Sequence, residues 1–243
     1  MADLSRQNGR TSVMHMITRF DQGGSARNTF LTVMGHDRSR FRVSLTYGRV
    51  EAHGVEEAAL LEKDLSQLRQ AGVVLFEVPS LAREVRPLRD AQATLALWRL
   101  LRKERPAIVH THTSKAGAVG RVAAWLAGIP VVIHTPHGHI FYGYYGPVMS
   151  GLIRLVERAL ARITDRIVTL TERGIAEHVR LGIARADKFT AIPSGIALSA
   201  FRSVRVEPAA KRKELGLPPE GPVIGTVGRL VPIKGHEWLL KAA

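Results

Sequence analysis

Short apolar runs alternate with amphipathic stretches along most of the chain. The apolar runs predict strands at 12–18, 41–46, 73–78, 107–112, 131–135, 165–170 and 188–192. The stretches between them predict helices at 26–33, 56–70, 91–102, 115–127, 147–163 and 172–181. Strands that alternate with helices of this length form parallel sheets covered on both faces, with right-handed crossovers. The pattern therefore predicts a doubly wound α/β domain over residues 1–193.

Residues 194–221 depart from this alternation. Proline, glycine and charged residues become frequent there, and the only predicted helical piece is at 209–215. We interpret this stretch as an interdomain linker. The alternation begins again with a short buried strand at 223–227, a turn after Gly228 and the start of a helix around Trp238.

Residues 222–243 are thus interpreted as the first strand–helix unit of a second α/β domain. One such unit cannot bury its own apolar faces. We therefore expect the chain to be an incomplete, inactive part of a two-domain protein.

The chain is strongly basic, with 35 Lys and Arg against 21 Asp and Glu and a formal net charge of +14. Such a charge favours an anionic partner. The basic residues are spread evenly, without a basic arm or an RNA-type aromatic motif, so we expect no nucleic-acid partner. A nucleotide-linked substrate and an anionic membrane surface both explain the charge.

The chain contains no cysteine. Disulfides, thiolate catalysis and cysteine-ligated metal sites are therefore excluded, and a reducing compartment fits this composition. The sequence contains no run of about 18 apolar residues, so no membrane-spanning helix is predicted.

Two glycines follow the first predicted strand, and ligands of open parallel sheets bind beyond the carboxyl ends of the strands. Gly23 and Gly24 stand directly before Ser25, the predicted N-cap of the next helix. Backbone at such a helix start can approach a phosphate or a sugar closely, although an ordinary turn explains a lone double glycine equally well. No ordered Gly-x-Gly-x-x-Gly follows this strand, which counts against a nicotinamide cofactor.

Histidines stand at the ends of the fourth and fifth predicted strands. His110 and His112 are two residues apart and should share a face of their strand, where we expect them to shape the cleft. A metal pair is the alternative, but the sequence shows no third ligand nearby. His134, His137 and His139 surround the end of the next strand. A neutral imidazole there, with a pKa near the working pH, can accept a proton or orient a hydroxyl; a loop histidine bonded to backbone is the other interpretation.

The loop at 136–146 concentrates aromatic side chains, namely Phe141, Tyr142, Tyr144 and Tyr145. Aromatic rings over a cleft can stack on a sugar or enter a membrane interface. They can equally pack the loop against the domain.

The helix after this loop carries basic and apolar residues in two rows. Arg154, Arg158 and Arg162 recur every four residues, opposite Leu152, Leu155, Val156 and Leu160. One interpretation is a solvated face with Glu157 and Glu172 as ion-pair partners. The more specific interpretation is that this helix contacts an anionic membrane surface.

Two basic residues flank the turn that follows Gly228. Arg229 offers a planar fork of donors and Lys234 a point charge, beside a glycine turn and a predicted helix start. This combination predicts a corner that binds a diphosphate. A strand–turn–helix corner with two solvated basic residues is the alternative.

These motifs together resemble the family 4 retaining glycosyltransferases, which have two facing Rossmann-like domains, the GT-B architecture. The resemblance lies in the double glycine, in IVHTHTSKAGAVGRVAAWLAGIPVVIHTPHG at 108–138, in IPSGI at 192–196 and in VGRLVPIKG at 227–235. It covers essentially the whole chain. The last motif, in this order after the others, is specific, whereas the double glycine alone is not.

The resemblance implies transfer of a sugar from a nucleotide-diphosphate donor to an acceptor hydroxyl with retained anomeric configuration, without a cofactor and usually without a bound metal. By position, Arg229 and Lys234 would hold the donor diphosphate, and Gly23 and Gly24 would approach it from the first domain. His137 matches the family's active-site histidine. Residues expected to shape the cleft or to contact the acceptor are His110, His112, His139, Tyr142 and Tyr144.

The chain departs from the family pattern at two places. The family often has Pro-Asn-Gly-[Ile/Val]-Asp near the hinge, where this chain has Pro-Ser-Gly-Ile-Ala at 193–197 and so lacks an amide and a carboxylate. The family's Glu-x7-Glu segment, which contacts the donor sugar and ribose, would lie beyond residue 243. The chain is therefore expected to carry the acceptor side and the diphosphate corner of the donor side.

In this family the acceptor is recognised mostly by the first domain. The basic, aromatic-flanked segment 141–162 suits a lipid-linked or cell-envelope glycan acceptor, which would place the protein in the cytoplasm at the inner face of the membrane. Two alternatives stay open. One is a non-catalytic module that binds an acceptor or a membrane surface. The other is a sugar-nucleotide epimerase of the same architecture, which the Arg229…Lys234 motif disfavours.

Overall fold

The computed structural model describes residues 6–7, 9–21, 23–49, 54–138, 141, 145–228, 230 and 234–242. Its strands are β1 (Arg6–Gln7), β2 (Arg10–Ile17), β3 (Phe41–Tyr47), β4 (Val74–Glu77), β5 (Ile108–His112), β6 (Val131–Thr135), β7 (Arg166–Thr169) and β8 (Phe189–Ala191). Its helices are α1 (Gly24–Met34), α2 (Val55–Gln70), α3 (Pro87–Glu104), α4 (Ser114–Ala127), α5 (Pro147–Arg162), α6 (Glu172–Arg180), α7 (Leu198–Arg202), α8 (Pro208–Glu214) and α9 (His236–Ala242). The predicted strands and helices of the first domain are all present, with small shifts at their ends.

The strands form one sheet in the order β4-β3-β2-β5-β6-β7-β8, in which all neighbours are parallel. The short β1 pairs antiparallel with β2. The chain adds β3 and β4 on one side of β2 and then returns to place β5 on its other side. This reversal opens a crevice at the carboxyl ends of β2 and β5, which is where ligands bind in doubly wound folds. The predicted α/β, Rossmann-like sheet is confirmed.

Helices cover both faces of the sheet with separate apolar clusters. On one face Met14, Met16 and Val109 pack against Leu97 and Leu101 of α3 and the small residues of α4. The cluster on the other face joins α1 and α2 to β2 and β3, through Ile17, Phe30, Val33, Val43, Leu45 and Leu68. Successive residues of β2 thus alternate between two cores, as a strand buried on both faces requires.

Helix α4 lies unusually close to the sheet because two of its residues have no side chain. A Cβ atom at Gly117 would lie 2.4 Å from the ring of His134, and one at Gly120 would lie 2.9 Å from the methyl group of Thr111. The small-residue sequence of α4 therefore follows from close packing against β5 and β6. This packing also fixes the start of α4 beside the crevice.

The chain divides into two compact units, Met1–Ile196 and Ala197–Ala243. The second contains α7, α8 and α9. The prediction of a buried strand at 223–227 is wrong, since residues 222–228 form no strand and Val223, Ile224 and Val227 are exposed. A strand needs a hydrogen-bonded neighbour, and no described strand pairs with this segment. The interpretation of 194–221 as a linker and of 222–243 as the start of a second domain stays a prediction.

Within the described part of the chain, no helix has both the length and the apolar character needed to cross a membrane.

Candidate functional site

The loops that follow β2, β5 and β6 meet at the crevice. The hydroxyl of Thr18, just after β2, accepts a hydrogen bond from the backbone N–H of Ala116 (2.9 Å) and lies 3.2 Å from the hydroxyl of Thr113. The backbone N–H of Thr113 donates to the carbonyl of Thr135 at the end of β6 (3.1 Å). Thr113 has a φ of 67°, a conformation that is costly for a β-branched residue and is typical of functional sites.

The double glycine forms the start of α1 at the same edge of the sheet. Gly23 is the N-cap, its backbone N–H donates to Asp21 (2.9 Å), and Asp21 pairs with Arg19. An added Cβ atom at Gly24 would meet nothing within 4 Å. Ser25 is not the cap, because the helix begins one residue before it. There is thus open space on the Cβ side of Gly24, at the start of an 11-residue helix, and the N–H groups at a helix start can bind a phosphate.

Four imidazoles form a hydrogen-bonded row along one face of the sheet. The Nε2 atom of His137 lies 2.9 Å from Nδ1 of His112, whose Nε2 atom lies 3.0 Å from Nδ1 of His15. The Nε2 atom of His15 in turn lies 2.9 Å from Nε2 of His36. Each neutral imidazole supplies one donor and one acceptor, so all three contacts are satisfied by one consistent set of tautomers. His137 holds the end of the row at the carboxyl edge.

His110 lies beside this row. It pairs with His15 across β2 and β5, and its Nε2 atom lies 2.8 Å from the hydroxyl of Thr135. The predicted shared face of His110 and His112 is seen, with their rings 4.2 Å apart. Sequence analysis showed no third histidine near His110 and His112, but the structure places His15 beside them on β2.

His134 points to the other side of the sheet. Its Nδ1 atom lies 2.9 Å from the hydroxyl of Thr111, and its ring packs against Gly117 of α4. It is therefore a core residue under α4. Of the three histidines around the end of β6, His137 is the described one that lies at the crevice; it has a φ of 58° and precedes Gly138 with a φ of 120°.

The five histidines of β2, β5 and β6 and the loop after β6 (His15, His110, His112, His134 and His137) all have a lowered pKa and are neutral at physiological pH. Burial lowers the pKa of His110 to about 3 and that of His137 to about 4. Burial, together with neighbouring imidazoles or, for His134, the Arg121 charge, holds the pKa of His15, His112 and His134 well below the ordinary value. The expectation that the active-site histidine has a pKa near the working pH is therefore wrong for His137. Its imidazole is therefore neutral at physiological pH and offers one hydrogen-bond donor and one acceptor.

The remaining predicted site residues divide between the second unit and undescribed positions. Lys234 is exposed and lies in the second unit. A Cβ atom added at Gly228 would lie 3.8 Å from the Lys234 side chain and 3.8 Å from the ring of His236. The predictions for Arg229, His139, Tyr142 and Tyr144 lie outside the described residues. Their roles in diphosphate binding and acceptor contact stay predictions.

The prediction that Glu157 pairs with the arginine row of α5 is wrong. Its carboxylate accepts two hydrogen bonds, both of 2.8 Å, from the guanidinium of Arg121 on α4. The Arg121 side chain is fully buried, and its Nε–H donates to the carbonyl of Gly117 (2.7 Å). This ion pair joins α4 to α5 behind His134.

The sequence interpretation missed His15, His36 and Arg121 as parts of this region. His15 stands in an apolar strand, and its role depends on which strand lies beside β2. The sequence could have predicted the position of His15, since a reversal in strand order, as in doubly wound folds, places the first predicted strand next to the fourth. In-phase histidines on those two strands then share a face.

The fold and the crevice define one Rossmann-like half of a GT-B protein. A model of the glycosyl transferase 4-like domain matches residues 24–195. The chain therefore belongs to this family, the family 4 glycosyltransferases of GT-B type.

Relatives of known activity support this assignment. The chain is 34% identical over 168 residues to the Escherichia coli UDP-Gal:α-D-GlcNAc-diphosphoundecaprenol α-1,3-galactosyltransferase, covering 69% of this chain and 43% of that protein. It is 31% identical over 179 residues to the D-inositol 3-phosphate glycosyltransferase of Acidothermus cellulolyticus, covering 70% of this chain and 39% of that protein. The chain thus spans less than half the length of these relatives.

Among solved structures, Anabaena HepE in complex with UDP and glucose superposes with a TM-score of 0.68 at 17% identity, covering 95% of this chain and 57% of that one. At this level of identity the likeness concerns the fold.

Proposed function

We propose that this chain forms the acceptor side of a retaining glycosyltransferase, which moves a sugar from a nucleotide-diphosphate donor to an acceptor hydroxyl. The observation that carries the proposal is the crevice at the ends of β2, β5 and β6. An open helix start at Gly24 and a neutral imidazole at His137 stand at the same edge of the sheet. A diphosphate and a sugar hydroxyl are the groups that these two features bind best.

The proposed roles follow from these groups. The N–H groups at the start of α1 stabilise the diphosphate as negative charge develops on it, and we propose the same role for Arg229 and Lys234. His137 bonds to a hydroxyl of the transferred sugar or of the acceptor. The bond from the anomeric carbon to the diphosphate breaks, and a bond from that carbon to the acceptor oxygen forms on the same face. The proton of the acceptor hydroxyl passes to the departing diphosphate.

The names of the relatives suggest the substrate class. The E. coli relative acts on a sugar linked to diphosphoundecaprenol, and HepE was solved with UDP and glucose. We propose a UDP-sugar as donor and a lipid-linked glycan as acceptor for this protein too. Such an acceptor places the enzyme at the cytoplasmic face of a membrane.

A Gly24→Val substitution tests the donor site without disturbing the fold. Its side chain enters open space, so the free energy of unfolding should stay within about 0.5 kcal/mol of the wild-type value. If the diphosphate approaches this backbone, the donor KM should rise roughly 10- to 100-fold, the range expected for losing one charge-assisted contact. The assay needs residues 1–243 followed by a whole donor-binding domain, called the two-domain form below.

Gly151→Val on α5 is the matched control, since an added Cβ atom there meets only the end of the Arg154 side chain, at 3.9 Å. An unchanged donor KM in the Gly24 variant would contradict the proposed role of the α1 start. Conversion of the UDP-sugar to an epimer without any acceptor would favour the epimerase alternative instead.

We further propose that α5 rests on an anionic membrane surface. Three residues of its apolar row, Leu152, Leu155 and Val156, are exposed, and Val148 adds to this surface, whereas Leu160, the fourth residue of the row, is buried in the domain. Close to it is a cavity of about 760 Å³ whose basic lining residues are Arg158, Arg162, Arg166, Arg185 and Lys188. Apolar side chains beside a basic pocket match the boundary between acyl chains and anionic headgroups.

Vesicle binding tests this surface on the 243-residue chain. The chain should sediment with vesicles that contain anionic lipid, and binding should weaken with salt. A Leu152→Ser/Leu155→Ser variant should bind at least about 10-fold more weakly, because each buried leucine contributes about 1.5–3 kcal/mol. Val55→Ser on α2 is the control, since Val55 is also highly exposed. Equal binding of neutral and anionic vesicles, or tighter binding to duplex DNA, would contradict the proposal.

A further inference from the structure

Three imidazoles from two neighbouring strands converge on one point of the sheet. One ring nitrogen from each of His15, His110 and His112 lies within 4.8 Å of the other two. Their placement follows from the fold, since β2 and β5 are adjacent only because the strand order reverses there. Nothing in the proposed transfer reaction requires three histidines at this depth.

One nitrogen of each of these three rings has a hydrogen-bond partner outside the group of three. The Nε2 atom of His110 lies 2.8 Å from the hydroxyl of Thr135. The Nδ1 atom of His112 lies 2.9 Å from His137, and the Nε2 atom of His15 lies 2.9 Å from His36. A histidine that binds a metal through one nitrogen carries its proton on the other, and an acceptor for that proton fixes the ring. The three acceptors that such a site needs are in place.

We propose that His15, His110 and His112 bind one divalent transition-metal ion, with zinc as the expected ion. Three histidines and one further position form an established tetrahedral zinc site. An all-imidazole set suits zinc, copper or nickel and excludes magnesium and calcium, which prefer oxygen.

Binding a metal ion requires only a small change in the distances between the ring nitrogens of these histidines. Nδ1 of His15 and Nε2 of His112 face each other at 3.0 Å, and these are the two nitrogens that His36 and His137 leave for a metal. Bonds of about 2.0–2.1 Å in a tetrahedron separate ligand nitrogens by roughly 3.3 Å. The pair must open by about 0.3 Å while His110 moves inward. His110 is only half-buried, which gives the ion an entry path.

The site would also act on His137. A metal at His112 Nε2 holds the His112 proton on Nδ1, so that Nε2 of His137 must accept it and the His137 proton lies on its own Nδ1. This consequence rests on the proposed function of His137, whereas metal binding itself does not.

Metal binding is measured directly on the 243-residue chain. Protein stripped with a chelator is titrated with Co²⁺, followed by its visible absorption, and with Zn²⁺, followed by calorimetry. We expect one ion per chain and a visible spectrum typical of tetrahedral Co²⁺. A stripped chain that takes up no stoichiometric Co²⁺ or Zn²⁺ would overturn the proposal and leave a purely hydrogen-bonded row of histidines.

Two variants locate the site. His110→Gln removes a ligand at the half-exposed position, and affinity should fall at least about 100-fold. Thr135→Val keeps all three ligands and removes one outer acceptor, for which a loss of about 10- to 100-fold is expected. His236→Gln in the second unit is the control for adventitious binding and should change nothing. Affinity that is unchanged in both site variants, or lost in the control, would contradict this location even if ions bind.

Discussion

Replacing Glu157 by Gln is expected to lower the free energy of unfolding by about 3 kcal/mol. The substitution keeps the shape of the side chain but leaves the charge of Arg121 without its partner, and the Arg121 side chain is 0% exposed. Removing one member of a buried pair costs about 3–5 kcal/mol, and we expect the lower end because Glu157 is itself 18% exposed. Urea denaturation followed by circular dichroism measures the change.

An exposed ion pair of similar length provides the control. Arg69 and Glu62 are 2.7 Å apart on α2, and both side chains are more than half exposed. Glu62→Gln should therefore change stability by less than about 1 kcal/mol. Equal effects of the two substitutions would mean that burial of Arg121 does not matter. An Arg121→Met/Glu157→Leu double variant should recover most of the loss, because apolar replacements of a buried pair are often neutral.

Replacing His137 by Asn is expected to lower kcat of the two-domain form by roughly 100-fold. The imidazole bonds to a sugar or acceptor hydroxyl in the proposed site, and loss of a positioned hydrogen-bonding group of this kind costs about 10²–10⁴ in rate. Asn is chosen because it tolerates the left-handed conformation better than other residues. The φ of 58° at this position therefore adds little strain. Steady-state rates at saturating donor and acceptor give the measurement.

A remote residue with the same backbone conformation provides the matched control. Arg105 has a φ of 45° at the end of α3, away from the crevice. Arg105→Asn should leave kcat unchanged. If the His137 variant keeps wild-type kcat while its fold is intact, His137 is not the active-site histidine, and the match to the family motif is misleading at this position.

The strands of the sheet could be predicted because each has a recognisable apolar pattern in the sequence. Strands buried on both faces are continuous apolar runs, and each amphipathic helix is closed by a recognisable stop such as Gly128. The carboxyl edge as the place of the site followed from the parallel arrangement alone. The same reasoning placed Gly23, Gly24 and His137 at this edge, since each follows a strand, and their roles there stay predictions.

The side-chain partners were not predictable, because they depend on register and on contacts between distant elements. His15 meets His112 only when β2 and β5 are neighbours in the observed register. Glu157 pairs with a residue 36 positions away on another helix rather than with the arginines on its own. The segment at 223–227 shows the reverse error, since its apolar pattern predicted a strand although no described strand pairs with it.

The product of the two-domain form gives the sharpest check of the central claim. The enzyme is incubated with an α-linked UDP-sugar and a polyprenyl-diphosphate-linked acceptor. The anomeric configuration of the new glycosidic linkage is then determined by NMR. The proposal requires UDP release that depends on the acceptor and an α configuration at the transferred sugar. A β linkage, or consumption of the donor without any new glycosidic bond to the acceptor, would contradict it.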